Sequence, residues 1–291
     1  TVAATERYVL DRSMATIDAL GRAVDKVMDG SVEAIGVGVA GLVRRNDGVF
    51  VWGPHVSGTN VPVRRELQTR YDVPVVVDND ANTAAIAEFR MGAGGGYQNG
   101  LLVTLGTGIG GAIVVGGDVF RGGGFAGEWG HVRVVDGGVL CDCGKRGCWE
   151  TRASGPALTR LAREVVAANP DGSLARALGD TSVSGESVIA LADAGEETAR
   201  ALVTEVGRAF GQGIADLIAV FDPEVVVVGG GLGSVGESIV GPARRVVADS
   251  IHGGSLRVPP TIQVAALGEE AGAVGAALLA RDLLHLGGFD G

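Results

Sequence analysis

The chain has 291 residues, enough for two domains or one large one, and its 46% hydrophobic and 20% charged residues are the balance of a soluble globular protein. Its formal net charge of −10 excludes a nucleic-acid grip without a local basic patch, and basic residues come only in pairs such as Arg44 and Arg45 or Arg244 and Arg245. No run approaches the roughly 18 apolar residues of a membrane helix, and the first twenty residues carry no signal-peptide pattern. A cytoplasmic protein with neither membrane nor nucleic acid as partner is therefore expected.

Glycine is the anomaly. Its 50 copies are more than twice the usual share, which is roughly 7%. They cluster at 92–96, 106–111, 122–130 and 229–236, beside apolar runs, where a backbone turn can approach a ligand closely.

In chain order, residues 6–10 read as a strand and 15–28 as a helix, on the spacing of Ile17, Leu20, Val24 and Val27. Residues 34–39 alternate as a buried strand, 67–71 end a short helix, 73–77 form a β-branched strand, and 82–90 a helix stopped by Gly92. This alternation predicts a largely parallel sheet. Residues 100–105 and 112–115 are strands separated by too few residues for a helix, so they form a hairpin with a glycine tip. A long irregular stretch at 121–150 holds all three cysteines. Helices follow at 157–168, 187–192 and 196–221, then a buried strand at 225–228, another at 262–266 and a closing helix at 269–284. The domain boundary is expected within 92–100, and no internal repeat is visible.

Cys141, Cys143 and Cys148 form C-x-C-x4-C, with His131 ten residues before the first. Thiolates and imidazole are the usual ligands of tetrahedral zinc, and disulfides are rare in the cytosol. The same spacing also fits three reduced thiols beside an unrelated histidine, because C-x-C is less diagnostic than a paired C-x-x-C.

Gly106, Gly108 and Gly111 satisfy G-x-G-x-x-G after a strand, but a dinucleotide fingerprint needs a helix next, and here a strand and a turn follow. A hairpin tip bearing Thr104 and Thr107 offers N–H groups and hydroxyls to phosphates instead; a plain glycine hairpin is the alternative. Gly231, Gly233 and Gly236 make a weaker match after a buried strand. The absence of G-x-x-x-x-G-K-[ST] excludes a P-loop, and no G-x-S-x-G elbow exists. Asp78-Asn79-Asp80 puts two carboxylates between a strand and a helix N-terminus, where the helix dipole favours ionised groups. One Asp there is commonly an N-cap; two Asp and two Asn within five residues point to a functional cluster.

Together these segments resemble the ROK family of bacterial sugar kinases and regulators. The carriers are the stretch 77–85 (V-D-N-D-A-N-T-A-A), 105–111 (L-G-T-G-I-G-G), Gly127-Glu128-Trp129-Gly130-His131 and the run from Cys141 to Glu150. Their order continues to 229–231 and Glu270-Ala271-Gly272, so the resemblance covers nearly the whole chain, and Cys148-Trp149-Glu150 is most similar to actinobacterial glucokinases. The resemblance implies an α/β, actin-like ATPase (ribonuclease H-like) fold: a small α/β domain at 1–98 completed by 270–291, and a large one at 99–269. It implies transfer of phosphate from ATP with Mg2+ to the 6-hydroxyl of a hexose, chiefly glucose, in carbohydrate metabolism at the head of glycolysis.

By position, the family likeness makes Asp80 the general base. Gly41, Asn79, Asp80, Glu128, His131 and Glu150 would hold the sugar. Gly106, Thr107, Gly108, Ile109, Gly110 and Gly111 would cradle ATP phosphates, and Gly229, Gly230 and Gly231 would line the adenosine site. His131, Cys141, Cys143 and Cys148 would hold a structural Zn2+, and the enzyme would be a homo-oligomer, dimer or tetramer. Nothing before Ala34 matches the family's opening Asp-x-Gly-Gly-Thr, so a phosphate and magnesium contact is expected to be missing from a chain that starts at Thr1. Pro54-His55 stands where the family commonly has Pro-Asn, which bears on sugar choice. A kinase for mannose, fructose or an N-acetylhexosamine, and a sugar-sensing repressor, are the alternatives.

Overall fold

A computed structural model describes residues 15–54 and 56–285; the strand expected at 6–10 and His55 lie outside them. The elements run α1 (Thr16–Val27), β1 (Ile35–Val39), β2 (Leu42–Arg44), β3 (Val49–Trp52), α2 (Val63–Tyr71), β4 (Val75–Asn79), α3 (Asp80–Met91), β5 (Gly100–Leu105), β6 (Ile109–Val115) and β7 (Asp118–Phe120). There follow α4 (Gly155–Ala168), α5 (Ser173–Leu178), α6 (Gly185–Asp193), α7 (Glu197–Phe221), β8 (Val225–Gly229), α8 (Glu237–Ser250), β9 (Thr261–Val264) and α9 (Ala271–His285). The chain forms two compact units: one takes the described residues as far as Gly96, Ala112–Gly127 and those from Glu269, the other Tyr97–Gly111 and Glu128–Gly268. Among the described residues, no helix is long and apolar enough to cross a membrane.

In the first unit β1 and β4 pair in parallel, from Ile35 opposite Val75 to Val39 opposite Asn79. Side chains on a strand alternate between faces, and β4 buries both. Val75 and Val77 pack with Val63, Leu67 and Phe50 in one core, with Ile17 and Leu20 of α1 against it. Val76 packs with Ile86 of α3 and Leu279 of α9 in another. Burial on both faces is what makes a parallel strand read as an unbroken apolar run. Asp78 shares the parity of Val76, so it points into the protein beside α3.

The second unit is built on β5, β8 and β9, all parallel, with Gly100 opposite Val225 and Val225 opposite Thr261. The four valines of β8 are all buried. Helix α7 buries Val203, Val206, Phe210, Ile214 and Ile218, the three-and-four spacing of a helix with one apolar stripe.

Four differences from the sequence expectations have physical causes. Strand β4 continues through Asp78 and Asn79, and α3 begins at Asp80 rather than 82, because the Asn79 side chain caps the helix. The first unit is not purely parallel: β2 and β3 form an antiparallel hairpin too short to show a period. The glycine hairpin tip is narrower than 106–111, since β6 already starts at Ile109. Helix α8, which holds Pro242 in its interior, is not among the helices expected from the sequence, because a proline inside a helix removes a donor and weakens the local signal.

The α3–α9 contact needs a bare backbone. A β-carbon at Gly275 would fall inside the Thr83 carbonyl, with no flexible side chain to yield. Gly275→Ala should therefore destabilise the protein by about 1–3 kcal/mol, the usual cost of overpacking, seen as a lower urea midpoint. An unchanged midpoint would show that the two helices separate freely.

Candidate active site

The first unit contributes the junction between β4 and α3. Asn79 Oδ1 accepts the N–H groups of Ala81 (2.8 Å) and Asn82 (3.1 Å), satisfying donors that a helix N-terminus leaves open. The same residue's Nδ2 donates to the Gly41 carbonyl at 3.0 Å, so Gly41 and Asn79 are brought together. With Asn79 serving as the cap, Asp80 at the first helical position is left exposed.

The two aspartates have opposite surroundings. Asp78 is 2% exposed and fully engaged. Its Oδ1 accepts the Asn79 N–H and Asn82 Nδ2, both at 2.9 Å. Its Oδ2 accepts Arg121 Nε at 2.9 Å and Nη2 at 2.7 Å, with Arg45 Nε 3.6 Å away. Asp80 forms no ion pair among the described residues. Although its side chain meets solvent, the protein around it withholds enough water to push its carboxyl above the ordinary Asp value, against the pull of the Ala81 N–H. Asp78 is therefore engaged within the protein, and Asp80 is the carboxylate of this cluster that meets solvent.

The second unit brings the glycine loops together. Gly106 N–H donates to the Gly108 carbonyl at 3.0 Å, closing the hairpin tip. Gly155, the first residue of α4, donates to the Gly106 carbonyl at 2.8 Å, so the start of that helix lies at the tip. The turn at 229–231 is tied alongside, because Leu232 N–H reaches the Leu105 carbonyl at 2.9 Å. Exposed Thr107 and the adjoining backbone make a concave polar edge of the kind that binds anions.

The cysteine loop packs on that hairpin. Trp129 is buried, donates Nε1 to the Gly110 carbonyl at 3.3 Å, and lies where a β-carbon on Gly111 would fall. A side chain at Gly108 would come within 2.7 Å of Glu150 Oε2. Trp149 anchors the other end: its Nε1 donates to the Ala209 carbonyl at 3.0 Å, and its ring stacks on Phe210 at 5.6 Å.

His131, Cys141, Cys143 and Cys148 point their ligand atoms at one another, all within 4.8 Å. Cys141 Sγ lies 3.6 Å from His131 Nδ1, and Cys143 Sγ lies 3.6 Å from Cys148 Sγ. Around a tetrahedral zinc the corresponding edges are about 3.6 Å for S–N and about 3.8 Å for S–S. The donor set thus fits such an ion. Glu150 adjoins the cluster, its Oε1 2.9 Å from Cys141 Sγ and 3.3 Å from His131 Nδ1. That contact with Glu150 raises the His131 pKa. Burial alone would raise the Glu150 carboxyl, but His131 and Cys141 outweigh it and hold it below its ordinary value. Glu128 is exposed just before the 3-10 turn Trp129–His131. Glu128, His131 and Glu150 thus belong to the second unit, and Gly41, Asn79 and Asp80 to the first.

The family model described as ROK family matches residues 4–283. The chain belongs to the ROK family. Among its relatives, a glucokinase of Streptomyces coelicolor is 39% identical, over 92% of this chain and 86% of that protein. A solved ROK family glucokinase from Streptomyces griseus, in complex with glucose and AMPPNP, is 40% identical with a TM-score of 0.85, over 91% of this chain and 87% of that one. A xylose repressor of Caldicellulosiruptor bescii is 31% identical over 73% of this chain but only 54% of its own length. The likeness to the ROK glucokinase structure establishes the actin-like α/β fold.

Sequence reasoning missed Arg121 and the anchoring of Trp149. Asn82 is already one of the two asparagines of the D-N-D-A-N cluster, whereas no local signal marks Arg121 as the partner of an aspartate 43 residues away. The raised pKa of Asp80 has a stability consequence. The folded state holds that proton more tightly than the unfolded chain, so stability declines as pH rises through the window from 3.8 up to the folded value, and stays lower at neutral pH. Asp80→Asn removes that loss. Its urea midpoint should exceed wild type at pH 7, with the gain shrinking as pH approaches 3.8; a gain constant with pH would mean that Asp80 titrates normally.

Proposed function

We propose that this protein phosphorylates a hexose at the 6-hydroxyl with ATP, and that its sugar is glucose. The observation that carries the reading is Asp80, the carboxylate of the junction without an ion pair among the described residues and poised above its ordinary pKa, in a chain whose relatives include glucokinases at 39–40% identity.

In this reading the 6-hydroxyl gives its proton to Asp80 as oxygen attacks the γ-phosphorus, and the bond to the β-γ bridging oxygen of ATP breaks. A base of raised pKa accepts that proton more readily, and it needs only hydrogen-bond reach to the attacking oxygen. Asn79, Glu128, His131 and Glu150 hold the sugar hydroxyls, with Gly41 beside Asn79. The N–H groups of 106–111 and the start of α4 cradle the phosphates, and 229–231 line the adenosine. Little covalent chemistry remains for the protein, so positioning and charge stabilisation supply the catalysis. Magnesium, arriving with ATP, supplies neutralisation of the charge that develops on the phosphates.

His131, Cys141, Cys143 and Cys148 would hold a structural zinc, which would cross-link the loop from Glu128 to Glu150. His131 Nδ1 faces Cys141 and Glu150, so its other ring nitrogen would be left for a sugar hydroxyl. A cytoplasmic, homo-oligomeric enzyme of sugar metabolism is the setting that family membership supports.

A coupled ADP-release assay on the full chain should show turnover with glucose exceeding that with mannose, fructose or N-acetylglucosamine. Asp80→Asn should lower kcat by at least ~10²-fold while glucose binding, measured by calorimetry, changes little. Wild-type activity with none of these sugars, alongside intact glucose binding, would replace the kinase with a sugar sensor of the repressor type.

Protein purified without chelators should contain about one zinc per chain, and Cys143→Ser should lower both zinc content and melting temperature, since metal binding is folding free energy at such sites. Metal-free protein of full stability would remove zinc from the account.

A further inference from the structure

We propose that Arg121 is a positioning residue for phosphoryl transfer, acting through Asp78 to fix the strand-to-helix junction that carries Asn79 and Asp80. The inference rests on the kinase reading above and concerns a residue that touches neither sugar nor nucleotide in it.

The geometry divides the Asp78 carboxylate into two jobs. Oδ2 belongs to the guanidinium, which sends it both Nε and Nη2, at 2.9 and 2.7 Å. Oδ1 belongs to the junction, accepting the Asn79 N–H and the Asn82 amide at 2.9 Å each. The remaining Arg121 nitrogen, Nη1, donates to the Val119 carbonyl on β7 at 2.9 Å. Arg121 therefore has one side on the end of β7 and the other on the carboxylate, and its planar fork sets the carboxylate's orientation in a way a point charge cannot.

From Asp78 the constraint passes by two routes to the functional residues. The Asn79 backbone is held by its own N–H. Asn82, 3% exposed, is held by its side chain, and its N–H in turn is capped by Asn79 Oδ1. Asp80 sits between these two fixed residues with no side-chain ion pair of its own, so its direction depends on the junction, through the Ala81 N–H and the Asn79 side chain. A reacting group misplaced by about 1 Å can cost ~10²-fold in rate. Losing the fork lets the carboxylate turn toward the nearest remaining cation, Arg45 at 3.6 Å, and the Oδ1 contacts turn with it.

The test uses the full chain as R121Q, R121K, D78N and the double variant D78N/R121Q, with kcat, the KM for ATP, and hydrogen exchange of the amides at 79–83. R121Q should lower kcat by about 10–100-fold and leave the ATP KM within about twofold, because the ATP contacts are in the other unit. Exchange at 79–83 should rise. R121K, which keeps charge without the fork, should fall between R121Q and wild type. The double variant should turn over faster than R121Q, since an asparagine at 78 keeps an acceptor for the junction and requires no cation; simple loss of packing would make it slower. Folded R121Q with wild-type kcat, a double variant slower than R121Q, or unchanged exchange would each overturn the proposal. If R121Q fails to fold, R121K carries the comparison, and wild-type kcat in R121K overturns it. Should the wild-type chain phosphorylate no hexose, the kinase reading fails separately. Exchange at 79–83 still decides whether Arg121 holds the junction, a rise supporting it and no change overturning it.

Discussion

A carboxylate buried to 2% exposure is the constraint on which the first unit's chemistry depends. Removing Asp78 from water costs several kcal/mol unless a cation and hydrogen bonds replace the lost solvation. Arg121 supplies the cation, Asn79 and Asn82 supply the donors, and the whole set sits where β4 meets α3. Replacing such a pair with apolar groups often costs nothing in stability. Its worth here lies in orientation, because Asn79 and Asn82, which bond to Asp78, flank Asp80 in the chain.

The second unit solves its positioning problem with packing instead of charge. Trp129 lies on the backbone of Gly111, and Trp149 stacks on Phe210 and bonds to the Ala209 carbonyl. Two indoles, each with its N–H satisfied, hold a loop without regular helix or strand that is also tied by its own backbone bonds, such as Trp149 N–H to the Val132 carbonyl at 2.9 Å. The cysteine–histidine cluster lies between them in sequence, from His131 to Cys148. This explains part of the unusual glycine content: glycine is needed where one loop's side chain rests on another's main chain, as at Gly111.

What was legible in the sequence was what is local. The hairpin tip, the cysteine–histidine spacing and the D-N-D-A-N junction each lie within a few residues, and the structure gathers their members as groups. The buried valines of β8 and the apolar stripe of α7 were legible for the same reason. What depends on distant partners was not: Arg121 meets Asp78 across 43 residues and Trp149 meets Ala209 across 60. Helix α8 gave no local signal either, since Gly241-Pro242 interrupts its helical spacing. The strand ending was misjudged because Asp78 and Asn79 are poor strand formers, yet parallel pairing with Gly38 and Val39 extends β4 through both.

Two aspartates two residues apart acquire opposite roles because strand parity and helix capping act on them in turn. Parity sends Asp78 inward on the face of Val76, where only a fully paired carboxylate is tolerated. Asn79 then takes the capping position, so that its neutral amide, and not a carboxylate, is spent on the open N–H groups of α3. Had the helix begun one residue later, Asp80 would have been the cap. Its oxygens would then have accepted two N–H groups, and such bonds stabilise the charged form and depress a carboxyl pKa. A general base gains from the reverse, a carboxylate with its acceptor sites free and its pKa raised. The asparagine at 79 is thus as necessary to the reading of Asp80 as a base as Asp80 itself.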